Sequence, residues 1–184
     1  MTYDDQDILR RLPNLDRVLI GSQEIGLRIR QLGVEISRDY AGTVPILVCV
    51  LKGAFVFLAD LSRCISIPHA VDFMAVSSYE GGTQSTGVVK IEKDLVASIS
   101  GRDVILVEDI VDSGLTLNHL VELLQTRAPR SLRICTLLDK VAARVQPIAV
   151  DYRGFEIPKE FVVGFGLDYE EQYRNLPFIG VLKP

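Results

Sequence analysis

Three acidic residues and a small turn lie close together in the middle of the chain, and residues of these types could hold a phosphorylated sugar. Glu108 and Asp109 follow the apolar, β-branched run 104–107, and Asp112 comes shortly after them. The segment 113–116, Ser-Gly-Leu-Thr, then opens an amphipathic stretch. Carboxylates can bind ribose hydroxyls or Mg²⁺, and the free N–H groups of a helix N-terminus can face a phosphate. This order of strand, acids, turn and helix start predicts a sugar-phosphate site.

Polar side chains also stand where two other predicted strands end. Lys52 follows one apolar run and Lys140 follows another, as Glu108 and Asp109 follow a third. Ligands of open α/β sheets bind beyond the carboxyl ends of the strands. We therefore expect these three points to meet at one edge of a sheet.

Strand-like and helix-like segments alternate through the centre of the chain, which predicts right-handed βαβ units and a parallel sheet. Continuous apolar runs rich in β-branched residues are typical of strands that are buried on both faces. Strands are predicted at 18–21, 45–51, 71–77, 88–91, 103–107 and 132–138, and helices at 22–42, 54–64 and 115–126. The predicted fold class is α/β, a mostly parallel twisted sheet flanked by helices.

The two ends of the chain are predicted to form a small hood over this sheet. From about residue 148 the pattern changes to short strand-like pieces with glycine, proline and aromatic residues. We expect a single domain over 1–184, with a core of about 18–147 and a hood built from about 1–17 and 148–184.

The composition argues against several classes of protein. The 184 residues include 24 acidic and 20 basic ones, a net charge of −4, without the basic run that a nucleic-acid partner would demand. The longest apolar run, 44–51, is too short to span a bilayer, and the acidic N-terminus is unlike a signal peptide. Cys49, Cys64 and Cys135 lie in apolar stretches without a C-x-x-C pair, which favours free thiols in a reducing compartment. We expect a cytoplasmic protein with no membrane or nucleic-acid partner.

The acidic stretch 108–116 resembles the signature of the type I phosphoribosyltransferases. The resemblance implies that Glu108 and Asp109 bind the 2′- and 3′-hydroxyls of phosphoribosyl pyrophosphate. Its 5′-phosphate would lie against Ser113, Gly114, Leu115 and Thr116. Leu115 stands at a position that varies in this family and would contribute only its backbone N–H. Pyrimidine and adenine enzymes share this signature, so it does not name the acceptor.

Two further parts of the sequence resemble the groups that hold pyrophosphate in these enzymes. The segment 51–53 resembles a loop that in this family contains a cis peptide bond not followed by proline. By resemblance, Lys52 and Gly53 of that loop bind the pyrophosphate, and Arg174 contacts it as well. Asp168 would help to hold a second Mg²⁺ ion. The implied metal ligands are Glu108, Asp109 and Asp168.

The segments 137–140 and 161–169 resemble the purine-binding parts of hypoxanthine-guanine phosphoribosyltransferases. The resemblance implies that Phe161 stacks on the base and that the Val162 backbone meets its Watson–Crick edge. Lys140 would donate to the 6-oxo group. Adenine carries an amine at that place, so a buried lysine there disfavours it.

Taken together, the resemblance implies a purine salvage enzyme. It would move the 5-phosphoribosyl group from phosphoribosyl pyrophosphate to hypoxanthine or guanine, giving IMP or GMP and pyrophosphate. Asp112 would accept the proton from purine N7 as general base. Ser78 and Tyr79, in the polar glycine-rich segment 78–87, match the family's lid, which excludes water. Relatives are usually dimers or tetramers, so a homodimer or homotetramer is implied.

Two alternatives to this function stay open. A xanthine-preferring phosphoribosyltransferase would keep the chemistry and change the acceptor. A non-enzymatic regulator would keep the fold as a sensor of phosphoribosyl pyrophosphate and bind nucleic acid, for which the chain shows no basic surface or added module. The sequence contains neither G-x-G-x-x-G nor G-x-x-x-x-G-K, which excludes a Rossmann dinucleotide site and a P-loop.

Overall fold

The computed structural model describes residues 4–78 and 89–183, which form two β-sheets and the helices around them. In chain order the elements are α1 (Asp5–Leu9), β1 (Leu15–Ile20), α2 (Ser22–Asp39), β2 (Ile46–Leu51), α3 (Phe55–Cys64), β3 (Ala70–Ser78), β4 (Val89–Lys93), β5 (Asp103–Val111), α4 (Leu115–Gln125), β6 (Ser131–Asp139), a 3₁₀ turn (Val141–Ala143), β7 (Tyr152–Glu156), β8 (Val162–Val163) and β9 (Ile179–Leu182). Each strand and helix predicted from the sequence overlaps one of these elements.

The larger sheet has six strands in the order β4-β3-β2-β5-β6-β7. Its neighbouring strands are parallel except for β3 and β4. The central strands β2 and β5 are buried along most of their length, as expected of strands that are covered by helices on both sides. The predicted fold class, a mostly parallel sheet flanked by helices, is confirmed.

Alternation along the central strands sends their side chains into two separate cores. Leu47 and Cys49 pack in the core that includes α2 and α3, whereas Ile46 and Val48 pack in the core that includes α4. Helix α2 contributes an apolar stripe with the spacing of a single helix face. The buried residues of that stripe are Ile25, Ile29, Leu32, Gly33 and Ile36. Both faces of the sheet are thus covered, and the strand ends carry the polar residues.

The smaller sheet is antiparallel, with the strand order β1-β9-β8. Half of β1 falls inside the predicted core range, but β1 pairs with β9 in the smaller sheet. Conversely, β7 falls inside the predicted hood range but pairs with β6 in the larger sheet. The predicted bounds at residues 17 and 148 therefore do not follow the two sheets. Short strands such as these carry no local mark of the sheet that they join, because cross-strand and burial contacts decide the pairing.

Strand β5 is longer than the sequence pattern predicts. It does not end at residue 107 but continues to Val111, and Glu108 and Ile110 still pair with residues of β6. The prediction that the acids follow the strand is therefore wrong in this detail, because β6 is long enough to extend the ladder past them. Glu108 and Asp109 are held in the last part of a central strand, whose backbone is fixed by its neighbour.

The described residues carry no helix that is both long and apolar enough to cross a membrane. Ser78, the first of the two predicted lid residues, is the last residue of β3. Tyr79 and the rest of the predicted loop to residue 87 lie outside the described residues.

Candidate functional site

Two adjoining clefts lie where β2 and β5 end. The first has a volume of about 280 Å³ and the second of about 340 Å³. Of the residues predicted to bind the sugar phosphate, Glu108, Asp109, Ser113, Gly114 and Thr116 line the first cleft and Leu115 does not. The predicted general base, Asp112, and the predicted pyrophosphate residue Gly53 line it as well. The residues predicted to bind pyrophosphate, Lys52, Gly53, Asp168 and Arg174, line the second cleft together with Asp109. Because Gly53 and Asp109 line both, one molecule could reach from one cleft into the other.

The turn 113–116 lies at the start of α4 and forms one wall of the first cleft. Gly114 has a φ of 81°, a conformation that residues with a Cβ rarely adopt, and a Cβ there would lie 2.9 Å from the Gln146 carbonyl oxygen. The Ser113 hydroxyl accepts a hydrogen bond from the Leu115 N–H at 3.4 Å, and the Gln146 N–H donates to the Ser113 carbonyl. The first N–H groups of a helix lack partners within it, so this braced turn suits a phosphate.

Glu108, which is buried, and Asp109, which is partly buried, stand side by side at the first cleft. Burial and the neighbouring charge of Asp109 hold the pKa of Glu108 well above its usual range. Burial also raises the pKa of Asp109 to about 6, although the Ile110 N–H donates to its carboxylate at 2.7 Å and opposes the shift. Gly53 lies directly against Asp109, and a Cβ at Gly53 would collide with the carboxylate. Such acids favour a cation or a hydroxyl donor that can share their charge.

The raised pKa of Asp109 predicts that Asp109→Asn is more stable than the wild type by an amount that depends on pH. The folded protein raises the pKa of Asp109 from 3.8 to about 6. The stability that Asp109 contributes is therefore fully present below about pH 4 and is lost as the pH rises through 6, because the folded protein must then hold the charged carboxylate. Relative to the wild type, Asp109→Asn should therefore gain up to about 3 kcal/mol in free energy of unfolding between pH 4 and pH 7. Urea denaturation of both proteins in the presence of a chelator measures this difference. A difference that stays constant with pH would contradict the account.

The second cleft brings together the cations predicted to bind pyrophosphate. The peptide bond before Lys52 is cis, as the resemblance implies. The Lys52 ammonium lies 3.0 Å from a carboxylate oxygen of Glu171. The Arg174 guanidinium lies 2.8 Å from Asp168 and 3.3 Å from Glu171. Lys52 and Arg174 thus both contact the Glu171 carboxylate, and Arg174 also contacts the Asp168 carboxylate.

Lys140 lines neither cleft, but it contacts the first cleft through Asp112. Its ammonium lies 3.1 Å from the Asp112 carboxylate, and its side chain is 10% exposed whereas that of Asp112 is 56% exposed. The Lys140 N–H donates to the Val111 carbonyl, which ties the end of β6 to the end of β5. The predicted convergence of three polar strand ends is therefore observed, and the predicted base-binding lysine touches the predicted general base.

Phe161 is an exposed aromatic residue, with 55% of its surface open to solvent, and not a core residue. Its ring contacts Tyr169 edge-on, with the centroids 5.8 Å apart and the planes at 88°, an arrangement that aromatic pairs prefer. Val162 is buried in β8, which pairs with β9. Neither Phe161 nor Val162 lines the two clefts. The ring of Phe161 contacts Tyr169, which follows Asp168 of the second cleft in the chain.

The predicted metal ligands are divided between the clefts. Glu108 lines the first cleft, Asp168 the second and Asp109 both. Between residues 4 and 78 and between 89 and 183, no group of three or more His, Cys, Asp and Glu side chains is arranged to hold a metal ion. The acids therefore suit a cation that takes most of its ligands from a substrate or from water, as Mg²⁺ often does.

Glu171 belongs to the site although no sequence pattern marks it. It follows Glu170 in an acidic pair, and the two residues look alike in the sequence. Only the structure distinguishes them, since in its described part Glu171 pairs with Lys52 and Arg174 while Glu170 has no ion pair. The contact with Lys52 joins residues 119 positions apart, a separation that local spacing does not reveal.

Comparison with known proteins assigns this arrangement to a family. The family model of the phosphoribosyl transferase domain matches residues 20–170. The chain belongs to the phosphoribosyltransferase family. The matched range includes every strand of the larger sheet and the whole of the acidic stretch and turn that resemble the family signature.

Individual phosphoribosyltransferases resemble the chain over nearly its whole length. It is 52% identical over 171 residues to the hypoxanthine-guanine phosphoribosyltransferase of Bacillus subtilis, and the match covers 93% of this chain and 95% of that protein. It is 51% identical over 177 residues to the enzyme of the same name from Mycobacterium avium, with 93% and 87% covered. The crystal structure of a hypoxanthine phosphoribosyltransferase from Staphylococcus aureus matches with a TM-score of 0.92 and 47% identity, covering 96% of this chain and 95% of that one.

Proposed function

We propose that this phosphoribosyltransferase transfers the 5-phosphoribosyl group of phosphoribosyl pyrophosphate to hypoxanthine or guanine, forming IMP or GMP and pyrophosphate. The observation that carries the proposal is the pair of clefts that share Gly53 and Asp109. One cleft offers a phosphate-binding turn and acids for the ribose, and the other offers two cations for the leaving group. The names of the relatives at about half identity support a 6-oxopurine as acceptor.

The reaction breaks the bond between the anomeric carbon and a pyrophosphate oxygen, and it forms a bond from that carbon to a purine ring nitrogen. Negative charge grows on the departing pyrophosphate and positive charge grows on the ribose ring. Lys52 and Arg174 are the cations of the second cleft and would stabilise the departing group. Glu108 and Asp109 would hold the ribose hydroxyls and stabilise the cationic ring, as carboxylates do in glycoside chemistry.

The charge of the second cleft favours a divalent cation that binds with the substrate. Enzymes of this family use Mg²⁺ together with phosphoribosyl pyrophosphate. Four acidic and two basic side chains line the cleft, a charge of −2 when all are ionised, which would repel a bare pyrophosphate. Asp109 and Asp168, with Glu108 in the adjoining cleft, would hold the ion together with substrate oxygens. When bound, Mg²⁺ neutralises charge on the leaving group.

The contact between Lys140 and Asp112 supports the roles proposed for them on the purine. O6 and N7 lie side by side on one edge of a 6-oxopurine. A donor for O6 and an acceptor for the N7 proton must therefore be neighbours, and Lys140 and Asp112 are 3.1 Å apart. We assign Lys140 to the 6-oxo group and Asp112 to the proton of N7, while Phe161 would stack on the ring and Val162 would meet its Watson–Crick edge.

The test of this function is the release of pyrophosphate from phosphoribosyl pyrophosphate and Mg²⁺ with hypoxanthine, guanine, xanthine or adenine supplied separately. We expect turnover with the first two bases and negligible turnover with adenine. A preference for xanthine would keep the mechanism and change the acceptor. Binding of phosphoribosyl pyrophosphate without turnover of any base would instead favour the sensor alternative.

Two further expectations stay proposals. We propose a homodimer or homotetramer, which the molar mass from light scattering would test. We also propose that the protein works in the cytoplasm, an expectation supported by its three free cysteines, Cys49, Cys64 and Cys135. Fluorescence microscopy of a tagged chain in its native cell would test the location.

A further inference from the structure

Glu171 occupies the place between two cations where the leaving group is proposed to bind. We propose that Glu171 is a built-in counter-anion of the second cleft, which pyrophosphate must displace and which therefore weakens the hold of the cleft on pyrophosphate. This inference rests on the proposed function, because it takes Lys52 and Arg174 as the groups that bind pyrophosphate.

The two oxygens of the Glu171 carboxylate are divided between the two cations. One oxygen lies 3.0 Å from the Lys52 ammonium, and the other lies 3.3 Å from the Arg174 guanidinium. A phosphoryl group that binds both cations presents its oxygens to the same N–H donors. Glu171 and pyrophosphate therefore compete for Lys52 and Arg174.

The exposure of the side chains indicates which of them moves when pyrophosphate competes with Glu171 for the two cations. The side chains of Glu171 and Lys52 are 66% and 67% exposed, so their ion pair is screened by water and weak. The side chain of Arg174 is 19% exposed, and it is also held by Asp168 and by the Gly166 carbonyl. An incoming anion thus displaces Glu171 and finds Arg174 already in place.

The backbone around Glu171 is shaped to hold its carboxylate in the cleft. Glu170, Glu171 and Tyr173 have φ values of 52°, 60° and 74°, a region that residues with a Cβ rarely enter and that often marks functional sites. The Glu171 N–H donates to the Asp168 carboxylate at 2.9 Å. The main chain is thereby anchored to the acid that pairs with Arg174, while the exposed side chain can leave the cations and return to them.

The Gln variant of Glu171 separates the charge from the size of the side chain. Glu171→Gln removes both the competition for the cations and the repulsion between a carboxylate and a polyanion. We expect pyrophosphate to bind about fivefold more tightly to this variant, as the loss of weak, exposed ion pairs would allow. The gain should shrink as the salt concentration rises, because salt screens exposed charges.

The experiment is isothermal titration of the full chain with pyrophosphate and Mg²⁺ at low and at high salt. Glu170→Gln is the matched control, since it makes the same change of net charge one residue away, where the described part of the chain shows no ion pair. In the transfer assay, Glu171→Gln should also strengthen inhibition by pyrophosphate about fivefold, with the KM for hypoxanthine unchanged. A purely structural role for Glu171 would not strengthen product binding. If Glu171→Gln is unstable, Glu171→Asp replaces it, because the shorter side chain cannot contact both cations.

The outcomes separate this inference from the function on which it rests. If Lys52→Ala weakens pyrophosphate binding but Glu171→Gln behaves like Glu170→Gln or binds more weakly, the counter-anion role is wrong and the leaving-group cleft stands. If neither Lys52→Ala nor Arg174→Ala weakens pyrophosphate binding, the assignment of the cleft is wrong and the inference falls with it.

Discussion

Replacing Asp112 by Asn should lower the turnover number by about 10²- to 10⁴-fold, the range typical of a lost general base. The amide keeps the size of the side chain but cannot take the proton from purine N7. Asp112 lines the first cleft and more than half of its side chain is exposed, so the carboxylate is open to a ligand. Binding of phosphoribosyl pyrophosphate and of the base should be largely kept, because neither requires the proton transfer.

The turnover number with hypoxanthine and the dissociation constant of phosphoribosyl pyrophosphate are the two quantities to compare. Asp16→Asn is a matched control, because Asp16 is also half exposed and ion-paired, with Arg17 at 3.0 Å, but lies in β1 of the smaller sheet. It should leave both quantities unchanged. An undiminished turnover number in Asp112→Asn would exclude Asp112 as the base.

Replacing Lys140 by Met should remove most of the preference for 6-oxopurines. Lys140 is 10% exposed and is the proposed donor to O6, so the loss of this largely buried charge should lower kcat/KM for hypoxanthine and guanine by about 10- to 100-fold. Adenine offers no acceptor at that position, so its low rate should change far less. The contact of Lys140 with Asp112 complicates each single rate, since its loss affects the base for every purine. The ratio of rates between hypoxanthine and adenine isolates the effect at O6.

The measurement is kcat/KM for hypoxanthine, guanine and adenine in the wild type and in Lys140→Met. Lys52→Met is the control, because Lys52 lines the second cleft and should affect all three bases alike. A hypoxanthine-to-adenine ratio that survives in Lys140→Met would overturn the selectivity role. A ratio that also falls in Lys52→Met would show that the effect does not arise at the base.

Local patterns in the sequence predicted the order of the elements and the residues of the first cleft. Glu108, Asp109, Asp112 and the turn that follows are close in the sequence, so one strand and one helix start are enough to bring them together. The polar ends of β2, β5 and β6 meet because parallel strands present their carboxyl ends at one edge. These parts of the site follow from short-range spacing and from the topology of the fold.

Other features depend on contacts that a single sequence does not display. The end of β5 is set by the length of β6, and the sheets of β1 and β7 are set by partners far along the chain. The ion pairs of Glu171 likewise depend on a turn with three left-handed residues other than glycine. Such backbone conformations are imposed by the surrounding structure and are not favoured by the residues themselves.

The close packing at Gly53 limits changes to the proposed site of phosphoribosyl pyrophosphate more than changes to the proposed site of the purine. A Cβ at Gly53 would collide with Asp109, and a Cβ at Gly166 would collide with the Gly53 carbonyl. The proposed site of phosphoribosyl pyrophosphate therefore contains glycine backbone in direct contact with a carboxylate and with other backbone atoms, so a side chain added at either glycine would displace its neighbours. The proposed site of the purine depends on the side chains of Lys140 and Phe161, and that of Phe161 is open to solvent. New acceptor bases should thus be reachable by exchanging Phe161, because its exposed side chain can change without disturbing the packing around Gly53.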